Sequence, residues 1–180
     1  LQMARALAYL HKISILHRDV KPANIFLSED ERTAVLGDLG IAKVALAGAW
    51  TQIGTPGYLA PEVWLGQKYD FAADIYSLGC TIFEATMLRR PFAAEGRSEL
   101  AAQVCFRRSP APDAGEPLRT LVQRMLCRTP CRRPGAQWIV GYARQFLGSA
   151  AERRRSRSTS QRPNGAKAGA PTPQPRPRSC

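Results

Sequence analysis

Acidic residues are scarce in this 180-residue sequence: 14 Asp and Glu stand against 26 Lys and Arg, a formal net charge of +12 at pH 7. The excess is uneven. Residues 151–180 hold eight basic residues and one acid, Glu152, whereas residues 1–150 hold 18 basic and 13 acidic ones. More than half of the basicity therefore belongs to the tail, and the charge balance does not describe a nucleic-acid-binding fold. Long apolar runs are also missing. No stretch reaches the roughly 18 uninterrupted apolar residues of a membrane span, and the richest segment, residues 71–88, is broken by Asp74 and Glu84. The first residues contain no basic-then-apolar leader, which points away from secretion. A helical pattern is already running at Leu1, so the chain is expected to be part of something longer. The five cysteines form no CxxC pair and keep no ligand spacing with the two histidines. Cys127 and Cys131, four apart, could share a helix face, but reduced structural thiols are the expectation.

What is present suffices for one domain with its own core. The 44% hydrophobic and 22% charged content excludes a wholly disordered or fibrous chain. Met3, Leu7 and Leu10 predict a helix over residues 1–12, with His11 and Lys12 suited to the negative end of its dipole. The apolar runs at residues 25–27 and 34–36, separated by the turn-rich 28–33, predict a hairpin. Residues 37–61 read as one long loop, and loops of that length in a compact domain are usually functional. Residues 75–88 are apolar nearly all round, as in a buried helix, with Asp70 and Asp74 at its start. Leu118, Leu121, Val122, Met125 and Leu126 form a helical stripe, and Ala136, Ile139, Val140, Ala143 and Leu147 form another. Beyond Gly148 the composition is Arg, Ser, Pro, Gly and Ala, and residues 148–180 are expected to be a disordered basic tail.

The string HRDVKPAN at residues 17–24 carries the chemistry. Asn24 enters the expected hairpin, and Asp38, in GDLG at residues 37–40, leaves it. A hairpin returns its ends to within about 5 Å, so an amide and a carboxylate oxygen should face one gap. Such a pair suits Mg²⁺, a hard cation that takes few protein oxygens and keeps positions for water and phosphate.

These residues resemble the catalytic loop and metal motif of eukaryotic protein kinases, and APE at residues 60–62 resembles the end of the family's activation segment. Order and spacing agree across residues 1–147. Lys21 and the GTP of residues 54–56 are similar to the serine/threonine branch. The run NIFL at residues 24–27 and DLG in place of the usual DFG resemble the NIMA-related (Nek-type) kinases, while GTPGYLAPE at residues 54–62 is closer to other serine/threonine kinases. The resemblance implies an α+β, mainly α fold: a protein-kinase-like large lobe with a short β-hairpin at the catalytic loop and the small lobe absent.

It also implies roles. Asp19 would accept or orient the substrate hydroxyl, Lys21 would offset charge on the transferred phosphoryl group, and Asn24 and Asp38 would hold Mg²⁺ under ATP. Each also admits a plainer reading: Asp19 bonding its own backbone, Lys21 as a solvated loop lysine, Asn24 as a turn cap. His17 is taken as structural. Leu39, where Phe is usual, keeps an apolar plug beside Asp38. Glu62 and Arg133 match a buried ion pair, although Arg133 could be a surface arginine. Asp74 would accept backbone N–H groups of the catalytic loop, or simply start its helix. Between Asp38 and Glu62 the hydroxyl residues are Thr51, Thr55 and Tyr58. Thr55 lies in the part that resembles a substrate-docking loop, which leaves Thr51 as the regulatory phosphosite and Arg18 as the phosphate's partner.

A kinase also needs a Gly-rich loop over the phosphates and a strand lysine paired with a helix glutamate, and neither occurs here. Two readings follow. One is the catalytic lobe of a serine/threonine kinase acting on proteins, inactive without its small lobe. The other is a truncated kinase-like module that binds partners without catalysis. The intact Asp19, Lys21, Asn24 and Asp38 favour the enzyme. RRRSRS at residues 153–158 could contact nucleic acid or act as a nuclear address, so the expected location is the cytoplasm or the nucleus, with no membrane partner.

Overall fold

A computed structural model describes residues 1–40, 43–44 and 54–160, with 43–44 and 149–160 as backbone alone. Leu1–Phe146 form one compact unit that carries the site; a second begins at Leu147. Helix α1 spans Gln2–Lys12 and is followed by the two-residue strand β1, Ile15–Leu16. Strands β2, Ile25–Leu27, and β3, Ala34–Leu36, pair antiparallel with Ile25 opposite Leu36. This is the expected hairpin. The Gln2 side chain ties it to α1, accepting from Ala34 N–H at 2.7 Å and donating to the Arg32 carbonyl at 2.9 Å. Strand β4, Lys43–Val44, returns to pair with β1, a contact within the segment read as loop.

Helices follow: α2 Pro61–Trp64, α3 Ala72–Met87, α4 Arg97–Phe106, α5 Leu118–Met125 and α6 Ala136–Ser160. Helix α3 is the shared wall of two apolar clusters, which explains why it is apolar nearly all round. Ile75 and Leu78 pack with Leu7 and Leu10 of α1, Met125 of α5 and Ile139 of α6. Tyr76, Cys80 and Phe83 pack with Leu59, Trp64, Val104 of α4 and Val122. The approach to α5 depends on Gly79, where a Cβ would lie 2.9 Å from Met125 Cβ. Helix α3 ends before Leu88, which adopts a left-handed conformation (φ 54°) and is 90% exposed. Leu147, the last member of the α6 stripe, is 56% exposed and belongs to the second unit.

The α6 backbone continues to Ser160, beyond the Gly148 at which the sequence reading ends order. Ala, Glu and Arg of residues 150–155 are strong helix formers, and no proline occurs between Pro134 and Pro163. Residues 161–180 lie outside the described ones. Cys127 and Cys131 do not share a helix: Cys127 follows α5 and Cys131 lies in the 3₁₀ turn Pro130–Arg132. Cys80, Cys105, Cys127 and Cys131 are free thiols. No helix among the described residues is long and apolar enough to cross a membrane.

Candidate active site

Residues 17–21 bridge β1 and a 3₁₀ turn, Pro22–Asn24, that opens on proline as such turns favour. His17 and Val20 are fully buried and anchor the loop from below. From α3, Asp74 accepts the N–H of Arg18 at 2.8 Å and that of His17 at 3.0 Å. Asp74 is 1% exposed, so its charge is matched by these donors and by His11 Nε2 at 2.9 Å, not by water. His17 Nε2 lies 3.0 Å from the Gly37 carbonyl, and its Nδ1 accepts the Asp19 N–H at 3.3 Å. With Nδ1 accepting, Nε2 is the ring nitrogen that donates to the Gly37 carbonyl. The ring joins the Asp19 backbone to the residue preceding Asp38, a structural part as expected.

The Asp19 carboxylate is the centre of the site. Its Oδ1 accepts the Thr55 N–H at 3.0 Å and the Thr55 hydroxyl at 2.8 Å. Its Oδ2 accepts from Lys21 Nζ at 2.5 Å and Asn24 Nδ2 at 3.1 Å. Lys21 Nζ also donates to Thr55 Oγ1 at 2.7 Å, closing a ring of three residues. Burial pushes the Asp19 carboxyl up, but the Lys21 and Thr55 bonds, the Lys21 charge and the Asn24 bond together outweigh it and hold the group below its ordinary value. Asp19 is thus ionised at neutral pH, with all four of its lone-pair positions in use.

Asn24 is 5% exposed, and its amide nitrogen donates to the Asp19 carbonyl at 2.8 Å as well as to the carboxylate. Both amide protons are thereby committed, so the amide oxygen is the end left to receive a cation. The Gly37 N–H donates to the Asn24 carbonyl at 2.9 Å, which sets Asp38 one residue past Asn24 across the hairpin. Asp38 is exposed, holds a positive φ of 60° that Asp tolerates, and accepts the Gly40 N–H on Oδ1 at 3.2 Å. An amide and a carboxylate oxygen are the hard donors that suit a small divalent cation.

The GTP element docks onto this loop through its glycine. Gly54 has φ +119°, and a Cβ there would meet the Arg18 carbonyl at 2.5 Å. Only glycine allows that approach, and it delivers Thr55 to Asp19. Thr51, the phosphosite expected to pair with Arg18, lies outside the described residues. Below the site, Glu62 of α2 and Arg133 form a buried bidentate pair at 2.6 and 2.7 Å. Arg133 also donates to the carbonyls of Cys127, Ala72 and Arg128, and its guanidinium stacks on Tyr76.

Two features escaped the sequence reading. His11, read only as a dipole match, bonds Asp74 and stacks on Phe71 with centroids 4.6 Å apart. Thr55, read as part of a docking loop, is a direct partner of Asp19 and Lys21. No local pattern marks either, because their partners are 63 and 36 residues away.

The protein kinase domain model matches residues 1–143. The chain is similar to serine/threonine-protein kinase Nek5 of Homo sapiens, 37% identical over 151 residues, covering 81% of this chain and 21% of that protein. It is 37% identical over 146 residues to serine/threonine-protein kinase Nek3 of Mus musculus, covering 78% and 28%. Against probable serine/threonine-protein kinase nek2 of Dictyostelium discoideum it is 37% identical over 150 residues, covering 79% and 36%. The chain spans about a fifth to a third of the length of these curated relatives. With its Asp19-centred loop, its hairpin and this match over most of its length, the chain belongs to the protein kinase domain family.

Proposed function

We propose that residues 1–147 are the large lobe of a serine/threonine protein kinase and transfer the γ-phosphoryl group of ATP to serine or threonine hydroxyls of proteins. The observation that carries this reading is the hydrogen-bonded ring of Asp19, Lys21 and Thr55, with Asn24 on the same carboxylate. A protein hydroxyl reaches Asp19 by replacing one of its present donors, and the Thr55 hydroxyl on Oδ1 is the group it resembles. Asp19 orients that hydroxyl toward phosphorus and receives its proton as the new O–P bond forms and the bond from γ-phosphorus to the bridging oxygen breaks, ADP leaving with the electron pair. A carboxyl of lowered pKa is a weak base, so it acts late, when the hydroxyl has become acidic. Lys21, already between Asp19 and Thr55, offsets negative charge on the phosphoryl group in flight. Asn24 and Asp38 would hold Mg²⁺, which neutralises charge on the nucleotide phosphates when bound. The Gly-rich loop and strand lysine that complete a nucleotide site are assigned to residues outside these 180, and this stretch by itself should bind nucleotide weakly and turn over little. Thr51 is the proposed regulatory phosphosite, with Arg18 as its partner.

The test uses the full-length protein that contains this chain. Asp19→Asn should lower phosphate transfer to a serine peptide by at least about a hundredfold while ATP binding persists, since general-base and positioning effects are of that size. Retained transfer would overturn the assignment of Asp19. Transfer absent from the wild type itself would favour the binding-module reading.

A further inference from the structure

Beyond the ring around Asp19, one cation is built into the turn that follows Thr55. The 3₁₀ turn Pro56–Tyr58 carries Gly57, where a Cβ would meet Arg90 Nη1 at 3.1 Å and Arg90 Cδ at 3.2 Å. Arg90 therefore lies along the backbone of Gly57, and a side chain there would crowd its present position by a few tenths of an ångström. Its guanidinium sits 5.3 Å from the centre of the Tyr58 ring, a cation–π contact that holds the plane in place. Tyr58 in turn donates its hydroxyl to Glu84 Oε2 at 2.5 Å. Burial first, and then the Glu84 carboxylate, push the Tyr58 pKa up to about 12, so the hydroxyl stays a donor at neutral pH.

This arrangement settles which charge faces a bound peptide. Glu84 is the acid beside the turn, and it is taken by Tyr58 and by Arg90, whose Nε lies 3.9 Å from Glu84 Oε1. At that distance the ion pair is loose and no hydrogen bond is formed. The Arg90 side chain remains 49% exposed, against 26% for Glu84. The turn thus presents a planar cation to solvent, while its acid is the less exposed of the two and is engaged by the Tyr58 hydroxyl.

Gly57 is two residues from Thr55, about 4 Å along a 3₁₀ turn, and an extended peptide advances about 3.3 Å per residue. A peptide whose hydroxyl reaches Asp19 beside Thr55 therefore brings a residue one to three positions away from its acceptor up to Arg90. We propose that Arg90 is a specificity-determining residue that selects an anionic side chain, a carboxylate or a phosphorylated serine, at one position of the protein substrate. The proposal rests on the phosphoryl-transfer reading above. The shared chemistry is an oxyanion bound by two parallel N–H groups, the pairing for which a guanidinium is shaped.

The experiment measures phosphate transfer by the full-length protein to peptides with one serine and alanine elsewhere. Each position from three before to three after the serine is replaced in turn by Asp, Glu, phosphoserine or Lys. One position should show acidic residues raising kcat/KM about three- to tenfold over alanine, the size of a half-exposed charge pair, and Lys lowering it. A larger gain for phosphoserine than for Asp assigns a phosphate; equal gains assign a carboxylate. Arg90→Glu should reverse the preference toward Lys, Arg90→Lys should keep part of it, and Arg32→Ala, a solvent-exposed change on the hairpin turn, should leave it intact. An unchanged preference in Arg90→Glu, or none in the wild type, overturns the proposal and leaves the kinase reading standing. If the wild type phosphorylates no peptide, the kinase reading fails, and fluorescence-anisotropy binding of the same peptides decides for Arg90. Acid-over-lysine binding that disappears in Arg90→Glu upholds it, and equal or no binding overturns it.

Discussion

Replacing Arg133 with methionine keeps much of the side chain's length and removes its charge and every N–H donor. In the native structure those donors bond Glu62 at 2.6 and 2.7 Å and the carbonyls of Cys127, Ala72 and Arg128 at 2.7, 2.9 and 3.1 Å. Side-chain exposure is 0% for Arg133 and 4% for Glu62, so water cannot take over the lost bonds. Stranding one member of a buried ion pair costs about 3–5 kcal/mol, out of the roughly 5–15 kcal/mol that a domain has in total. With a urea m-value of about 2 kcal/mol/M, the midpoint should fall by about 2 M. Adding Glu62→Gln to Arg133→Met leaves a neutral amide stranded in place of a charge and should recover part of the loss. Equilibrium urea unfolding of the wild type, both single variants and the double variant reads these numbers. A midpoint shift below about 0.5 M, the scale of a surface pair, or a double variant no more stable than Arg133→Met would refute the buried-pair reasoning.

Two further outcomes follow from single side chains. The Tyr76 hydroxyl is buried with no hydrogen-bond partner among the described residues. Tyr76→Phe should therefore stabilise by about 1 kcal/mol and raise the thermal midpoint by about 2–4 °C; a lowered midpoint in differential scanning calorimetry would contradict this. Asp19 has a folded pKa below its ordinary 3.8, so the stability it supplies is complete above that value and is lost as pH falls through the lower folded pKa. The urea-midpoint difference between wild type and Asp19→Asn should hold from pH 7 to pH 5 and shrink below about pH 4. A difference that persists undiminished to pH 3 would mean that the lowered pKa is not a property of the fold.

The hairpin was legible because its signals are local: three apolar residues, a polar turn and three more apolar residues leave few alternatives to Ile25 facing Leu36. Helices α1 and α5 were legible from stripes whose members all pack inward, those of α1 into one apolar cluster and those of α5 divided between the two. Helix α4 was not, since Leu100, Val104 and Cys105 are its only buried residues among Arg, Ser, Glu and Gln. Strands β1 and β4, two residues each, have no pattern of their own and exist through each other. At the site, Glu62 and Arg133 were paired by resemblance alone, across 71 positions that no periodicity spans.

By itself the sequence determined the family, the order of the chemical groups along the catalytic loop, and the hairpin that separates Asn24 from Asp38. Those are matters of identity and of spacing over a few residues, which a chain carries without folding. Tertiary structure alone decided that Thr55 meets Asp19, that His11 completes Asp74, and that Arg90 rather than Glu84 faces outward above Gly57. In each case the partners come from segments whose approach is set by core packing, and for Thr55 also by the absence of a Cβ at Gly54, and that approach exists only once the buried surfaces have closed.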